Sequence, residues 1–183
     1  FQAALGILPQ WDALYLTSGC DRRAYHWMLA NADGGMAFGA TWNDAATGEP
    51  MRIDDHPGRS YADPQGSAPA WPDGAFSSAS PLAISGSSHT PSIGFTAYAV
   101  TASAVQLRSL AHQAAFLTMW VSSSNRRDGG ATADWYRETL RGQGWTYRSV
   151  AQAAWLMPDE HPLRAYFTEA VDAVGAYDAE LYV

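Results

Sequence analysis

Apolar residues recur at three- and four-residue steps in three separate stretches of the chain. Ala24, Trp27, Met28 and Ala32 do so in the first, Ala104, Leu107, Leu110, Ala111 and Ala114 in the second, and Leu163, Tyr166, Phe167, Ala170 and Val171 in the third. Such steps put side chains on one face of a helix. Each stretch follows another apolar run and a tight polar turn, so that Ala13–Tyr25, Ala97–Leu107 and Ala153–Tyr166 share one rhythm. The pattern predicts a mainly α chain of antiparallel helical hairpins over about 9–33, 89–121 and 142–174. Turn chemistry agrees: Gly19 and Asp21 stand in the first turn, Ser103 at an N-cap in the second, and Pro158, Asp159 and Pro162 in the third. The irregular spacing of the three units argues against a short-period solenoid.

The remaining pattern is less regular. A loop and β insertion occupies 34–88, rich in Gly, Pro, Ser and Asp. Its first part reads as a small β-hairpin, with Met36–Trp42 and Pro50–Asp54 flanking the turn Asn43–Gly48. The rest, Pro57–Ser88, reads as a long irregular surface loop, a feature compact domains carry mainly where it has a use. Ser122–Gly130 is a second loop, and Tyr177–Val183 reads as the start of a further segment. With Phe1 rather than Met at position 1, that ending suggests a processed product or a piece of something longer.

Composition narrows the classes. A chain of 183 residues is long enough for one domain with a real core. With 47% hydrophobic and 16% charged residues, plus 8 Trp and 9 Tyr, it has more aromatic surface than a small core needs. Some of those rings are expected in a groove or interface. The net charge of −7 is relieved only by the isolated pairs Arg22-Arg23 and Arg126-Arg127, which argues against nucleic acid and an anionic membrane as partners. A single cysteine, Cys20, excludes an intramolecular disulfide framework and a multi-Cys metal site, and leaves the compartment open. No run reaches the roughly 18 to 20 apolar residues of a transmembrane helix, and no cofactor is implied.

Three clusters carry candidate chemistry. In Asp54-Asp55-His56-Pro57, a His beside two carboxylates suits a general base or part of a metal shell. Neighbours on an extended segment point to opposite faces, however, and a capping or turn network is the favoured explanation. Ser87-Ser88-His89-Thr90-Pro91 reads as a helix entrance, with Ser88 or His89 at the cap and Pro91 in the first turn; there the helix dipole favours a neutral His89. Arg141-Gly-Gln-Gly-Trp145 combines a guanidinium fork for a carboxylate, two glycines for close approach or unusual dihedrals, an amide in Gln143 and a flat indole in Trp145 of the kind sugar rings stack on. The structural alternative is that Arg141 ties down a loop and Trp145 is core.

The run Arg141-Gly-Gln-Gly-Trp-Thr-Tyr-Arg-Ser-Val-Ala-Gln-Ala-Ala154, followed by a Pro-Asp turn and a helix containing Tyr-Phe, resembles a helix start in unsaturated glucuronyl and rhamnogalacturonyl hydrolases. Those enzymes share the six-hairpin (α/α) toroid with heparinase- and alginate-lyase-type polysaccharide lyases. The resemblance spans Trp135 to about Asp172. It implies a groove at the helix ends lined by Arg141, Gln143 and Trp145, and an acidic oligosaccharide or polysaccharide as partner. The inner-helix Asp pair of the hydrolases has no counterpart here, and three hairpins make only part of a toroid, so a second copy or the remainder of a longer chain is a further expected partner. The lyases use a Tyr or His base, and Tyr98, His89 and His56 are the residues for that role.

The resulting expectation is binding or cleavage of a uronate-containing polysaccharide by a toroid-like domain of lyase or glycoside hydrolase type. In it Arg141 neutralises the carboxylate, Gln143 orients a hydroxyl, Trp145 and Trp42 stack on sugar rings, and His89 or His56 moves the proton. The alternative is a non-catalytic helical module of a larger phage or cell-surface protein. A metal-dependent hydrolase on Asp54, Asp55, His56 and His89 is a third reading, unsupported by any helical His pair.

Overall fold

A computed structural model of the chain describes residues 5–35, 42–57, 60, 87–121, 126 and 139–182. The expected strand at 36–41, most of the surface loop 57–88 and most of the loop 122–130 lie outside the described residues. Within them the protein is mainly helical: α1 (Gln10–Thr17), α2 (Arg22–Gly35), α3 (Phe95–Thr101), α4 (Ala104–Trp120), α5 (Leu140–Leu156) and α6 (Pro162–Tyr182), with a 3-10 turn at Ser87–His89.

The helices pair in chain order, α1 with α2, α3 with α4 and α5 with α6, through short turns. In the first turn Gly19 and Cys20 adopt left-handed φ values of 68° and 64°. Asp21 then caps α2, accepting from the N–H groups of Arg23 at 2.8 Å and Ala24 at 3.4 Å. Those bonds, the Arg23 one foremost, hold the Asp21 carboxyl below its usual range. In the second turn Ser103 occupies the N-cap of α4, but its side chain accepts no capping bond. In the third, Arg164 donates to the Met157 carbonyl that α5 leaves unpaired and pairs with Asp159 at 2.6 Å.

The helix α4 is the axis of the fold. No Asp, Glu, Lys or Arg occurs from Ser109 to Met119, and every residue of that run is buried. It packs with α5, α6, Met51 and Ile53 into the main core, where Leu110, Leu117, Met119, Val150 and Phe167 are fully enclosed. Arg126, itself buried, closes the end of α4 by donating to the carbonyls of Met119 and Val121. A smaller cluster of Tyr15, Ala24, Met28, Ala32 and Ala97 joins α1, α2 and α3.

Four expectations are corrected. Trp27 is not on the buried face of α2: Ala24, Met28 and Ala32 line up at four-residue steps, and Trp27 falls to one side, 42% exposed. The β-hairpin is reduced, among the described residues, to one antiparallel bridge between Asn43 and Pro50. No strand follows it, because Ile53–Asp55 turn and His56 N–H donates back to the Ile53 carbonyl at 3.0 Å. The helix expected at Ser88–Pro91 begins only at Phe95, since Pro91 disfavours a helical Thr90 and the stretch from Thr90 to Ile93 forms no regular element and is buried. Tyr177 starts no new segment, as α6 passes Gly175 unbroken.

Candidate functional site

The residues with most chemistry converge where Ser87–Phe95 lies along α5. Arg141, Trp145, Arg148, Gln152 and Trp155 follow one another at alternating steps of four and three, which puts them on one stripe of α5. The segment meets that stripe in register. Ser88 Oγ lies 2.7 Å from Thr139 Oγ1, and Arg141 Nη2–H donates to His89 Nε2 at 3.3 Å. Further along, Arg148 Nη2–H donates to the Thr90 carbonyl at 2.9 Å and Ser92 Oγ–H to Gln152 Oε1 at 2.6 Å. Phe95 then stands 6.1 Å from Trp155, ring centre to ring centre. On the other side Gln113 of α4 fixes the segment, accepting from Ile93 N–H at 2.9 Å and donating to the Pro91 carbonyl.

The two ends of the stripe are open and its middle is closed. Arg141 and Trp155 are exposed, whereas Arg148 is 6% exposed and covered by Gly6, whose carbonyl accepts from Nη1 at 2.6 Å. Arg148 also lies over the Trp145 ring, 5.0 Å from its centre, a cation–π contact. Burial lowers its pKa to about 10, and no carboxylate among the described residues pairs with it. At the open corner, Arg141 donating to His89 Nε2 requires that nitrogen to be unprotonated, with the ring proton on Nδ1. The helix α5 is capped there by Thr139, whose hydroxyl accepts from Gly142 N–H.

The structure therefore brings Arg141 and His89 together and places Trp145 two positions from Gln143 on the same helix, half-buried beneath Arg148. The glycines of the motif serve neither unusual dihedrals nor a loop: α5 already runs from Leu140, and neither Gly142 nor Gly144 has a positive φ. The dipole argument for His89 lapses with the helix entrance it relied on. The other candidates are held elsewhere. His56 binds Asp44, which keeps the Asp44 carboxyl below its usual range. Asp55 forms a two-pronged pair with Arg52, and Asp54 is raised by burial, so the three neighbours face different surroundings. Trp42 packs against the main core and Tyr98 stands half-buried on α3. Among the described residues no group of three His, Cys, Asp or Glu side chains converges to hold a metal.

Sequence reasoning stopped at Trp145 and missed Arg148, Gln152 and Trp155. The four-three spacing that joins them to Arg141 was the available signal. It also missed a cleft of about 500 Å³ at the first hairpin, lined by Leu14, Ser18, Asp21, Arg23, Ala24 and Trp27, which none of the candidates reaches. Its signal was an ordinary one, a Trp at the margin of an apolar face. Among the described residues no helix is long and apolar enough to cross a membrane. Compared with known proteins, the chain matches no family model, no curated protein and no solved structure.

Proposed function

We propose that the open end of the α5 stripe binds an acidic saccharide, with Arg141 receiving a uronate carboxylate and His89 its neighbouring hydroxyl. The observation that carries this reading is an exposed guanidinium whose partner among the described residues, His89, comes from 52 positions away in sequence and is not a carboxylate. A guanidinium held in place with no carboxylate partner among the described residues keeps its planar fork for one supplied by a ligand. The succession of helical pairs is compatible with part of an (α/α) toroid, whose helix ends would carry such a groove. Binding is better supported than cleavage, since His56 is engaged by Asp44 and Tyr98 stands on α3.

Thermal unfolding in oligoglucuronate tests this. A ligand at 100 times its dissociation constant stabilises by about 2.7 kcal/mol; wild type is expected to show that shift, and Arg141→Ala and His89→Gln to lose it while unfolding normally without ligand. An equal shift in Arg141→Ala, or none in wild type, overturns the reading.

The half-burial of Trp145 under Arg148 favours a second reading, a helical interaction module in which the stripe only fastens segments together. There, changes at Trp145 lower stability and leave every ligand response unchanged.

A further inference from the structure

The middle of the stripe holds a buried cation with no counter-charge among the described residues. Removing a guanidinium from water is expensive unless other charges or dipoles replace the hydration. Around Arg148 that replacement comes from neutral acceptors: the carbonyls of Gly6 and Thr90, and Ser149 Oγ at 3.1 Å. Two donors beside it remain unused. Arg148 Nε–H and Trp145 Nε1–H are buried and have no partner among the described residues, and both groups can only donate. An acceptor is the one kind of group that satisfies them.

The cover over Arg148 is fastened in an unusual way. The Gly6 carbonyl oxygen accepts from Arg148 Nη1–H, and the next carbonyl, that of Ile7, accepts from Gln152 Nε2–H at 3.4 Å. The Ile7 side chain is meanwhile 72% exposed. A segment that docked to bury apolar surface would turn that side chain inward. Here, two successive backbone oxygens rest on two successive donors of α5, and the apolar group faces solvent.

We propose that Arg148 and Gln152 form a second subsite for the acidic saccharide, occupied in cis by the Gly6 and Ile7 carbonyls, which a ligand carboxylate displaces. The inference rests on the binding reading above, with the ligand running from Arg141 along α5. Seven helical residues separate the two arginines, about 10 Å along the axis, so the ligand must be longer than one sugar and carry a second acidic group. Displacement exchanges a neutral oxygen on Arg148 for a charged one and supplies an acceptor to Nε–H. It also frees residues 5–8.

The test is a titration of the full-length, nitrogen-15-labelled protein with oligoglucuronate, following the Arg Nε–H and Trp Nε1–H resonances, with Arg148→Lys, Arg141→Lys and Trp145→Phe for assignment. Cleavage between Leu5 and Leu8 by a protease specific for aliphatic residues is measured in parallel. The expected result is a saturable shift of the Arg148 and Trp145 signals and a several-fold acceleration of cleavage, neither reproduced by sodium chloride at equal ionic strength. If only the Arg141 signal moves, the second subsite is overturned and the binding reading stands. If no signal moves, both fall. Shifts reproduced by chloride reduce the effect to general screening and overturn the subsite as well. The readout needs no folded Arg148 variant beyond the assignment.

Discussion

Among the described carboxylates, Asp12 departs furthest from an ordinary environment. It lies in the first turn of α1, 3% exposed, against α3. Burial raises its pKa from 3.8 to about 6, and the nearby Thr96 hydroxyl offsets only part of that. Between those values the folded protein holds a proton that the unfolded chain releases, so stability falls as pH rises through the window. The shift corresponds to about 3 kcal/mol, present below pH 3.8 and lost by pH 6 and above. His112 acts in the opposite sense. Burial lowers its pKa from 6.5, so the unfolded chain takes up a proton first as pH falls, and stability declines below that point. Asp12→Asn, which resembles the protonated acid, is therefore expected to stabilise at pH 7 by up to about 3 kcal/mol and to change little at pH 4. Urea midpoints across that range should then show a decline on acidification that wild type masks. A flat profile in Asp12→Asn overturns the His112 effect, and a gap between the two proteins that does not widen from pH 4 to pH 7 overturns the Asp12 one. Gly94 shows backbone rather than charge at work. Its φ is 82°, and a Cβ there meets the Gln106 carbonyl oxygen at 2.9 Å. Gly94→Ala is expected to lose about 1–3 kcal/mol, measurable as a lower urea midpoint with an unchanged slope.

At the scale of elements, the irregular segment before α3 depends on α5 more than on its own sequence preferences. Its contacts are polar and specific, from Ser88 with Thr139 to Ser92 with Gln152, and the buried arginine is the strongest of them. Arg148→Met removes a buried charge but strands the Thr90 and Gly6 carbonyls, and hydrogen bonds to charged groups are worth about 1.5–3 kcal/mol each. A loss of about 2–3 kcal/mol is expected, with faster amide exchange in 90–94; protection unchanged there would mean that Gln113 and Gln152 hold the segment alone. The same dependence explains what the sequence disclosed. The periodic faces of α2, α4 and α6 and the turns at Gly19, Asp21 and Pro158 are local signals, and they predict the helices and turns correctly, with only Trp27 on α2 and Ala104 on α4 falling outside the buried faces. The segment from Thr90 to Ile93 has none: its conformation comes from partners 20 to 60 residues away, and the run Ser88-His89-Thr90-Pro91 imitates a helix entrance. The site was legible in the same proportion. Arg141 and Trp145 announced themselves as a short motif, but the pairing of Arg141 with His89 depends on that segment running along α5.

For the whole molecule, the two cores imply unequal stability. The cluster joining α1, α2 and α3 has five buried apolar side chains, and three of them, Ala24, Ala32 and Ala97, are alanine. Alanine buries little area, so this cluster contributes much less than the one around Phe167, Leu110 and Met119. What else joins the first hairpin to the rest is mostly polar or steric: Asp33 accepts from Gln106 at 2.6 Å, Asp12 lies beside Thr96, and Gly35 packs so closely on Ile93 that a Cβ is excluded. Native proteins open in units, and the unit with the least buried apolar area opens first. Amides of α1 and α2 are therefore expected to exchange at a lower free energy than those of α4 to α6. Two substitutions separate this from uniform unfolding. Met28→Ala, within the usual 2–5 kcal/mol for such a truncation, should weaken protection in α1 and α2 and leave α4 to α6 unchanged. Phe167→Ala, at about 3–5 kcal/mol, should lower protection in α4 to α6 toward the level of the first hairpin, where exchange already proceeds by local opening. If Met28→Ala instead lowers every helix equally, the two clusters fold as one unit, and the first hairpin has no opening of its own.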